Sequence, residues 1–164
     1  MKDTFNREIN YLRISVTDRC DLRCIYCMKE EMNFLPKSQI LSIEEMNRIC
    51  DAFIDLGIKK IRITGGEPLV RKGVPILLNY LGKKINNSNL EELTLTTNGT
   101  QLYKHAEMIK KNGIKRINVS LDSLDSKKYM TITRGGNLEQ VLEGLNIAKK
   151  IGLKIKINTV ALKN

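Results

Sequence analysis

Lys60-Ile61-Arg62-Ile63-Thr64-Gly65-Gly66-Glu67-Pro68 alternates apolar and polar side chains and then runs into two glycines. A period of two is the signature of a half-covered strand, and the glycines mark where it stops. The same alternation recurs in Tyr11–Val16, Glu92–Thr96, Arg116–Leu121 and Lys154–Val160. Leu12, Ile14, Ile61, Ile63, Leu93, Leu95, Ile117, Val119, Ile155 and Ile157 share one face. Arg13, Arg62, Thr94, Thr96, Asn118, Ser120, Lys156 and Asn158 share the other, which holds several cations and almost no acids.

Each strand is separated from the next by enough chain for a helix, so the strands should run parallel. Parallel strands covered on both faces read as continuous apolar runs, and these do not. The expected fold is α/β: a partial, incomplete TIM-type barrel of about five parallel βα units, forming one domain over residues 1–164. Helices cover its outside and the lumen is wet and polar. A filled barrel would want branched apolar residues inside. An open sheet with one solvated face is the alternative. The cysteine loop, Gly-Gly-Glu-Pro, Thr97-Asn98-Gly99 and Ser120-Leu121-Asp122 all fall at C-terminal strand ends, where α/β active sites gather. Cations and hydroxyls around one lumen suggest an anionic substrate such as a polyphosphate.

The helices have local signals. Ser42 with Glu45 forms a capping box ahead of a stripe of Ile43, Met46, Ile49, Cys50, Phe53 and Ile54, and Gly57 closes it. Further helices are expected from about Val74 to Ile85 and from Leu102 to Gly113, with a short helical turn near Lys127. Asn137 with Gln140 reads as a second capping box before Leu138, Val141, Leu142, Leu145 and Ala148. Cys50 belongs to an apolar stripe and reads as core. His105, the only histidine, reads as structural.

Cys20-Asp21-Leu22-Arg23-Cys24-Ile25-Tyr26-Cys27 carries the chemistry. Three thiolates cannot complete a structural zinc site, which takes four ligands. Zinc completed by a partner and a disulfide framework are the bland alternatives. Soft thiolates also select iron–sulfur clusters, and a [4Fe–4S] cube on three cysteines leaves one iron open to another ligand.

The formal net charge of +10 raises nucleic acid as a partner. However, Lys83-Lys84, Lys110-Lys111 and Lys149-Lys150 each sit near an expected helix C-terminus, where cations complement the helix dipole. Neither nucleic-acid nor membrane binding is expected. The polar start does not read as a secretory signal, and reduced cysteines suit a cytoplasmic compartment.

With Tyr26 before the last cysteine and Gly65-Gly66-Glu67-Pro68 downstream, the loop resembles that of the radical S-adenosylmethionine (AdoMet) superfamily. On Tyr11–Cys20, Arg62–Leu69, Thr96–Gly99, Asn118–Asp122 and Lys156–Val160, the chain closely resembles the GTP 3′,8-cyclase family of molybdenum cofactor biosynthesis. The resemblance implies Cys20, Cys24 and Cys27 as [4Fe–4S] ligands. It implies Tyr26, Gly66 and Ser120 as AdoMet contacts, and Arg13, Arg62, Thr96 and Lys156 as GTP contacts. No side chain is assigned a catalytic role of its own. An external electron donor would feed the cluster, and a homodimer is compatible with the family. AdoMet would be cleaved to methionine and a 5′-deoxyadenosyl radical. That radical would take the ribose 3′ hydrogen of GTP, and the carbon radical would close on C8 of the base.

Two features depart from the family. Lys29 stands where a proline is usual. The family chain is also about twice as long, with a second cluster in its C-terminal part, so this sequence reads as an N-terminal part. A peptide-modifying radical AdoMet enzyme and a non-catalytic truncated binding module are the rival readings.

Overall fold

A computed structural model describes residues 2–85 and 87–162. Five strands, β1 (Tyr11–Ser15), β2 (Lys60–Thr64), β3 (Glu92–Thr97), β4 (Arg116–Ser120) and β5 (Lys154–Asn158), form one sheet in the order β1-β2-β3-β4-β5. All four pairings are parallel. Sequential order with right-handed crossovers puts every helix on the same side, as in a barrel wall, whereas a doubly wound sheet has helices on both sides. Those helices are α1 (Ile43–Asp55), α2 (Val74–Lys84), α3 (Leu102–Lys111), α4 (Ser126–Thr133) and α5 (Leu138–Lys150). Among the described residues, none is long and apolar enough to cross a membrane.

The two faces separate as the alternation requires. Ile61, Ile63, Leu93, Leu95, Ile117 and Val119 are buried in one core with Leu77, Leu78 and Leu81 of α2 and Ile109 of α3. Each such side chain contributes about 1.5–3 kcal/mol by leaving water. On the opposite face Thr94 and Asn118 are also buried, at 0% and 3% exposure. A flat, solvated sheet would leave them open, so the polar face is concave around its central strands, while Arg13 and Lys156 on the edge strands stay exposed.

The capping box of α1 is present in full: Glu45 N–H donates to Ser42 Oγ at 3.1 Å and Ser42 N–H to Glu45 Oε2 at 2.7 Å. Gly57 follows with φ 96°, a left-handed conformation that spares the chain a Cβ clash. Cys50 is fully buried in the core, and His105 is half-buried.

Three expectations need correction. Ile49 is exposed; it lies at the margin of the α1 stripe. The second capping box is half made. Asn137 Oδ1 accepts from Gln140 N–H at 3.1 Å, but the Gln140 side chain donates to the Thr100 carbonyl at 2.6 Å. The turn near Lys127 is a full helix, α4, capped by Asp125 Oδ1 accepting from Lys128 N–H at 2.9 Å. The polar face holds few acids, as expected, and Glu92 is one of them. Glu92 lies opposite Lys60 at the start of the strands and bonds both Lys60 Nζ, at 2.9 Å, and Arg116.

Candidate functional site

Three loops meet at the C-terminal ends of β1, β2 and β3. The chain leaving β1 passes Val16 and Thr17 and packs directly on the double glycine. Gly66 N–H donates to the Thr17 carbonyl at 2.6 Å. A Cβ on Gly65 would lie 2.7 Å from the Thr17 oxygen, and one on Gly66 would strike the Arg19 carbonyl. Both glycines are therefore required by the approach of the cysteine loop, whatever else binds there.

Glu67 follows and is fully buried. Its Oε1 accepts from Leu69 N–H at 3.0 Å and from the Thr97 hydroxyl at 2.8 Å, and its Oε2 accepts from Asn98 N–H at 2.6 Å. Burial pushes this carboxyl up to about 7, against the pull of the three donors. The carboxylate thus splices the β2 loop to the β3 loop.

The β3 loop in turn grips the cysteine loop. Asp21 accepts from Asn98 Nδ2 at 2.8 Å, the Thr100 hydroxyl at 2.6 Å and Gln101 Nε2 at 3.1 Å. On the far side α4 supplies the anchors. Arg23 and Ile25 amides donate to the Thr133 and Ile132 carbonyls at 3.1 and 2.9 Å. Arg134 Nη1 donates to the Arg23 and Met28 carbonyls at 3.1 and 3.0 Å. Arg19 and Arg23 both lie over the Phe34 ring, 5.6 and 5.1 Å from its centre. Neither the Glu67 splice nor the α4 anchor is announced by the sequence. The Asp21 grip has one trace there, the Asn-Gly-Thr turn directly after a strand.

The thiols of Cys20 and Cys24 are half-buried and that of Cys27 is exposed; none is in a disulfide. Burial, and then the charges of Cys20, Asp122 and Cys27, push Cys24 up to about 11. Burial also raises Cys20, although bonds from Leu22 N–H at 3.4 Å and Asn98 Nδ2 at 3.6 Å to its sulfur pull it down. Three thiolates here repel each other unless a cation joins them, which is what an iron–sulfur core provides. The Tyr129 hydroxyl points the same way. It is 1% exposed, has no hydrogen-bond partner among the described residues, and feels the charges of Cys24, Asp21, Asp122 and Cys20. Among the described residues, no three Cys, His, Asp or Glu side chains close on a point that would hold one metal ion. A cubane takes each thiolate on a different iron, so its ligands need not converge on one point. The donor set fits such a cluster, and Cys50, buried in the core, stands outside it.

The other expected residues fall on the same concave side. The Tyr26 hydroxyl donates to Asp122 Oδ2 at 2.6 Å, which brings Tyr26 to the end of β4 where Ser120 lies. Ile25 and Asp122 line a cavity of about 740 Å³ that continues along Thr159 and Val160. Arg13 is directly opposite Arg62, and Thr96, Asn118 and Lys156 form a second row one step nearer the strand ends. Arg62 Nε and Asn118 Oδ1 are buried without partners among the described residues. Arg62 lies over the Tyr11 ring at 5.4 Å. Asp122, Glu67 and Glu92, the acids that could pair with these cations, are bonded to other groups.

Comparison with known proteins adds three findings. The model of the "Radical SAM superfamily" matches residues 14–164. A "GTP 3′,8-cyclase" of Bradyrhizobium diazoefficiens is 58% identical over 164 residues, all of this chain and 48% of its own. One from Rhizobium etli is 58% identical over 163 residues, 99% of this chain and 47% of its own. The chain thus spans about half the length of the curated relatives it matches. Among solved structures, "Native anSMEcpe with bound AdoMet" superposes with a TM-score of 0.70 at 19% identity, covering 90% of this chain and 43% of that one.

Proposed function

The chain belongs to the radical SAM superfamily, and from that premise we propose that it serves as a GTP 3′,8-cyclase in molybdenum cofactor synthesis, with residues 1–164 as its core domain. Cys20, Cys24 and Cys27 would hold a [4Fe–4S] cluster. When bound, that cluster supplies the electron for reductive cleavage of AdoMet. The electron comes from an external donor.

The observation that carries the cyclase reading is the pair of rows in the lumen. Arg13 and Arg62 stand side by side as like charges, a destabilising cross-strand pair. Among the described residues no carboxylate bonds either one, or Lys156. An anionic ligand relieves that repulsion, and a triphosphate has charge enough for all three. The arginines can grip phosphate oxygens in bidentate fashion, and Lys156 follows as a mobile point charge. Thr96, in the second row with Asn118 and Lys156, offers a hydroxyl. Tyr26 bonds Asp122 just beyond β4, whose last residue is Ser120; Tyr26 and Ser120 would seat the nucleoside part of AdoMet, with Gly66 giving its methionine part access to the backbone.

The test is anaerobic reconstitution followed by reaction with reductant, AdoMet and GTP. About four iron and four sulfide per chain, the content of one cube, with AdoMet cleaved to 5′-deoxyadenosine and GTP bound saturably but converted weakly or not at all by residues 1–164 alone, is the expected result. Stoichiometric zinc without iron uptake would overturn the cluster assignment. A loaded protein that cleaves AdoMet but neither binds nor converts GTP would overturn the cyclase assignment and favour a peptide or other substrate.

A further inference from the structure

Asn98 is the side chain that reaches the cysteine loop from outside it and touches a sulfur. Its Nδ2 lies 2.8 Å from Asp21 Oδ1 and 3.6 Å from Cys20 Sγ. Its Oδ1 accepts from Thr100 N–H at 3.0 Å and lies 2.8 Å from the Thr100 hydroxyl. These contacts fix which way the amide faces. A flipped amide would set its oxygen against the Asp21 carboxylate, which can only accept, and its NH₂ against the Thr100 N–H, which can only donate. With the amide held this way, one N–H serves Asp21 and the other is free for the sulfur.

The backbone beneath is equally constrained. Asn98 N–H is bonded to the fully buried Glu67, and Gly99 N–H donates to Thr97 Oγ1 at 3.0 Å. So Gly65-Gly66-Glu67, Thr97-Asn98-Gly99 and Cys20-Asp21 are one hydrogen-bonded unit, and the Asn98 amide is its point of contact with the metal-binding thiol.

Resting on the reading that Cys20 is a cluster ligand, we propose that Asn98 tunes that cluster. Its N–H donates to the Cys20 sulfur and raises the potential at which the cluster accepts its electron. A reduced cluster carries one more negative charge than an oxidised one. A donor at the thiolate therefore favours the reduced form, and hydrogen bonds to ligand sulfurs are an established lever on such potentials. Leu22 N–H, at 3.4 Å from the same sulfur, contributes the same effect from the backbone. Asp21 acts oppositely. It is an acid next to the ligand and opposes the incoming charge, while its three donors hold it in place.

EPR-monitored redox titration of the reconstituted protein tests this, with iron and sulfide assayed on every sample. Asn98→Leu keeps the bulk and removes the donor. At the wild-type midpoint its ratio of reduced to oxidised cluster falls about fivefold, the scale of one net hydrogen bond. Asp21→Asn moves the midpoint the other way. If Asn98→Leu does not load, Asn98→Ser carries the same expectation. Loaded Asn98→Leu with the wild-type midpoint overturns the tuning role and leaves the cluster assignment standing. Loss of the cluster from both Asn98 variants, with wild type loaded, makes Asn98 a folding residue and also overturns it. A wild-type protein that takes up no iron overturns both readings.

Discussion

The concave face of this sheet treats charge in two opposite ways. At the N-terminal end of the strands, Glu92 stands between Lys60 and Arg116 and bonds both; Arg116 above all holds its carboxyl below the usual range. Two residues further along β2, and on β1 and β5, Arg13, Arg62 and Lys156 have no acid bonded to them among the described residues. The lower end is compensated and the upper end is not. At that upper end the sheet also meets three thiols, a buried carboxyl and a buried hydroxyl that has no partner among the described residues. Satisfied groups stabilise, whereas groups left unsatisfied cost stability and persist where a ligand completes them. The contrast separates a floor that holds the sheet from the mouth proposed to bind.

The contrast can be broken in several places. The largest effect is expected at the thiols. Alanine at Cys20, Cys24 or Cys27 abolishes cluster uptake, while Cys50→Ala leaves iron and sulfide content unchanged. Loss of cluster from Cys50→Ala would show that the core cysteine belongs to the site after all. Next come the cations of the mouth. Arg13→Ala and Lys156→Ala each weaken GTP binding by about 1–3 kcal/mol, the scale of a lost charged hydrogen bond. Calorimetry should find the loss smaller at high salt, where the charge is already screened, and AdoMet affinity nearly unchanged.

Glu67 sharpens the contrast through pH. Its folded value is raised from 4.5 to about 7, so between those values the native state keeps a proton that the unfolded chain has released. Its contribution to stability is therefore complete below 4.5 and is lost as pH rises through 7. Denaturant titrations across that window should show stability falling, and Glu67→Gln should flatten the slope. An unchanged slope would place the pH dependence elsewhere. The smallest effect belongs to the floor. Glu92→Gln costs about 1 kcal/mol, near the top of the range for half-exposed ion pairs, and leaves iron content and GTP affinity as they were.

Much of this is legible in the sequence. Alternation in five segments gave the strands and their two faces, because a period of two leaves few other folds. The cysteine spacing, with Gly65-Gly66-Glu67-Pro68, marked the site. What stayed hidden depends on distant partners. Ser126–Thr133 has few strong helix formers and ends in β-branched residues, so propensity suggested only a turn; its carbonyls are occupied by amides of the cysteine loop. Gln140 fits a capping box locally, but the Thr100 carbonyl won its side chain. Glu92 looked like a strand boundary until Lys60 and Arg116 closed on it. The glycines, expected to make room for a ligand, first make room for the Thr17–Arg19 backbone.

The division between floor and mouth is tested most directly by thermal unfolding of the reconstituted, AdoMet-bound protein, with and without GTP, for wild type, Arg62→Ala and Glu92→Gln. Glu92→Gln should lower the GTP-free midpoint yet keep the full rise on adding GTP. Arg62→Ala should lose most of that rise while its GTP-free midpoint falls less than that of Glu92→Gln. An Arg62→Ala protein that GTP still stabilises like wild type, or a Glu92→Gln protein that GTP no longer stabilises, would contradict the account.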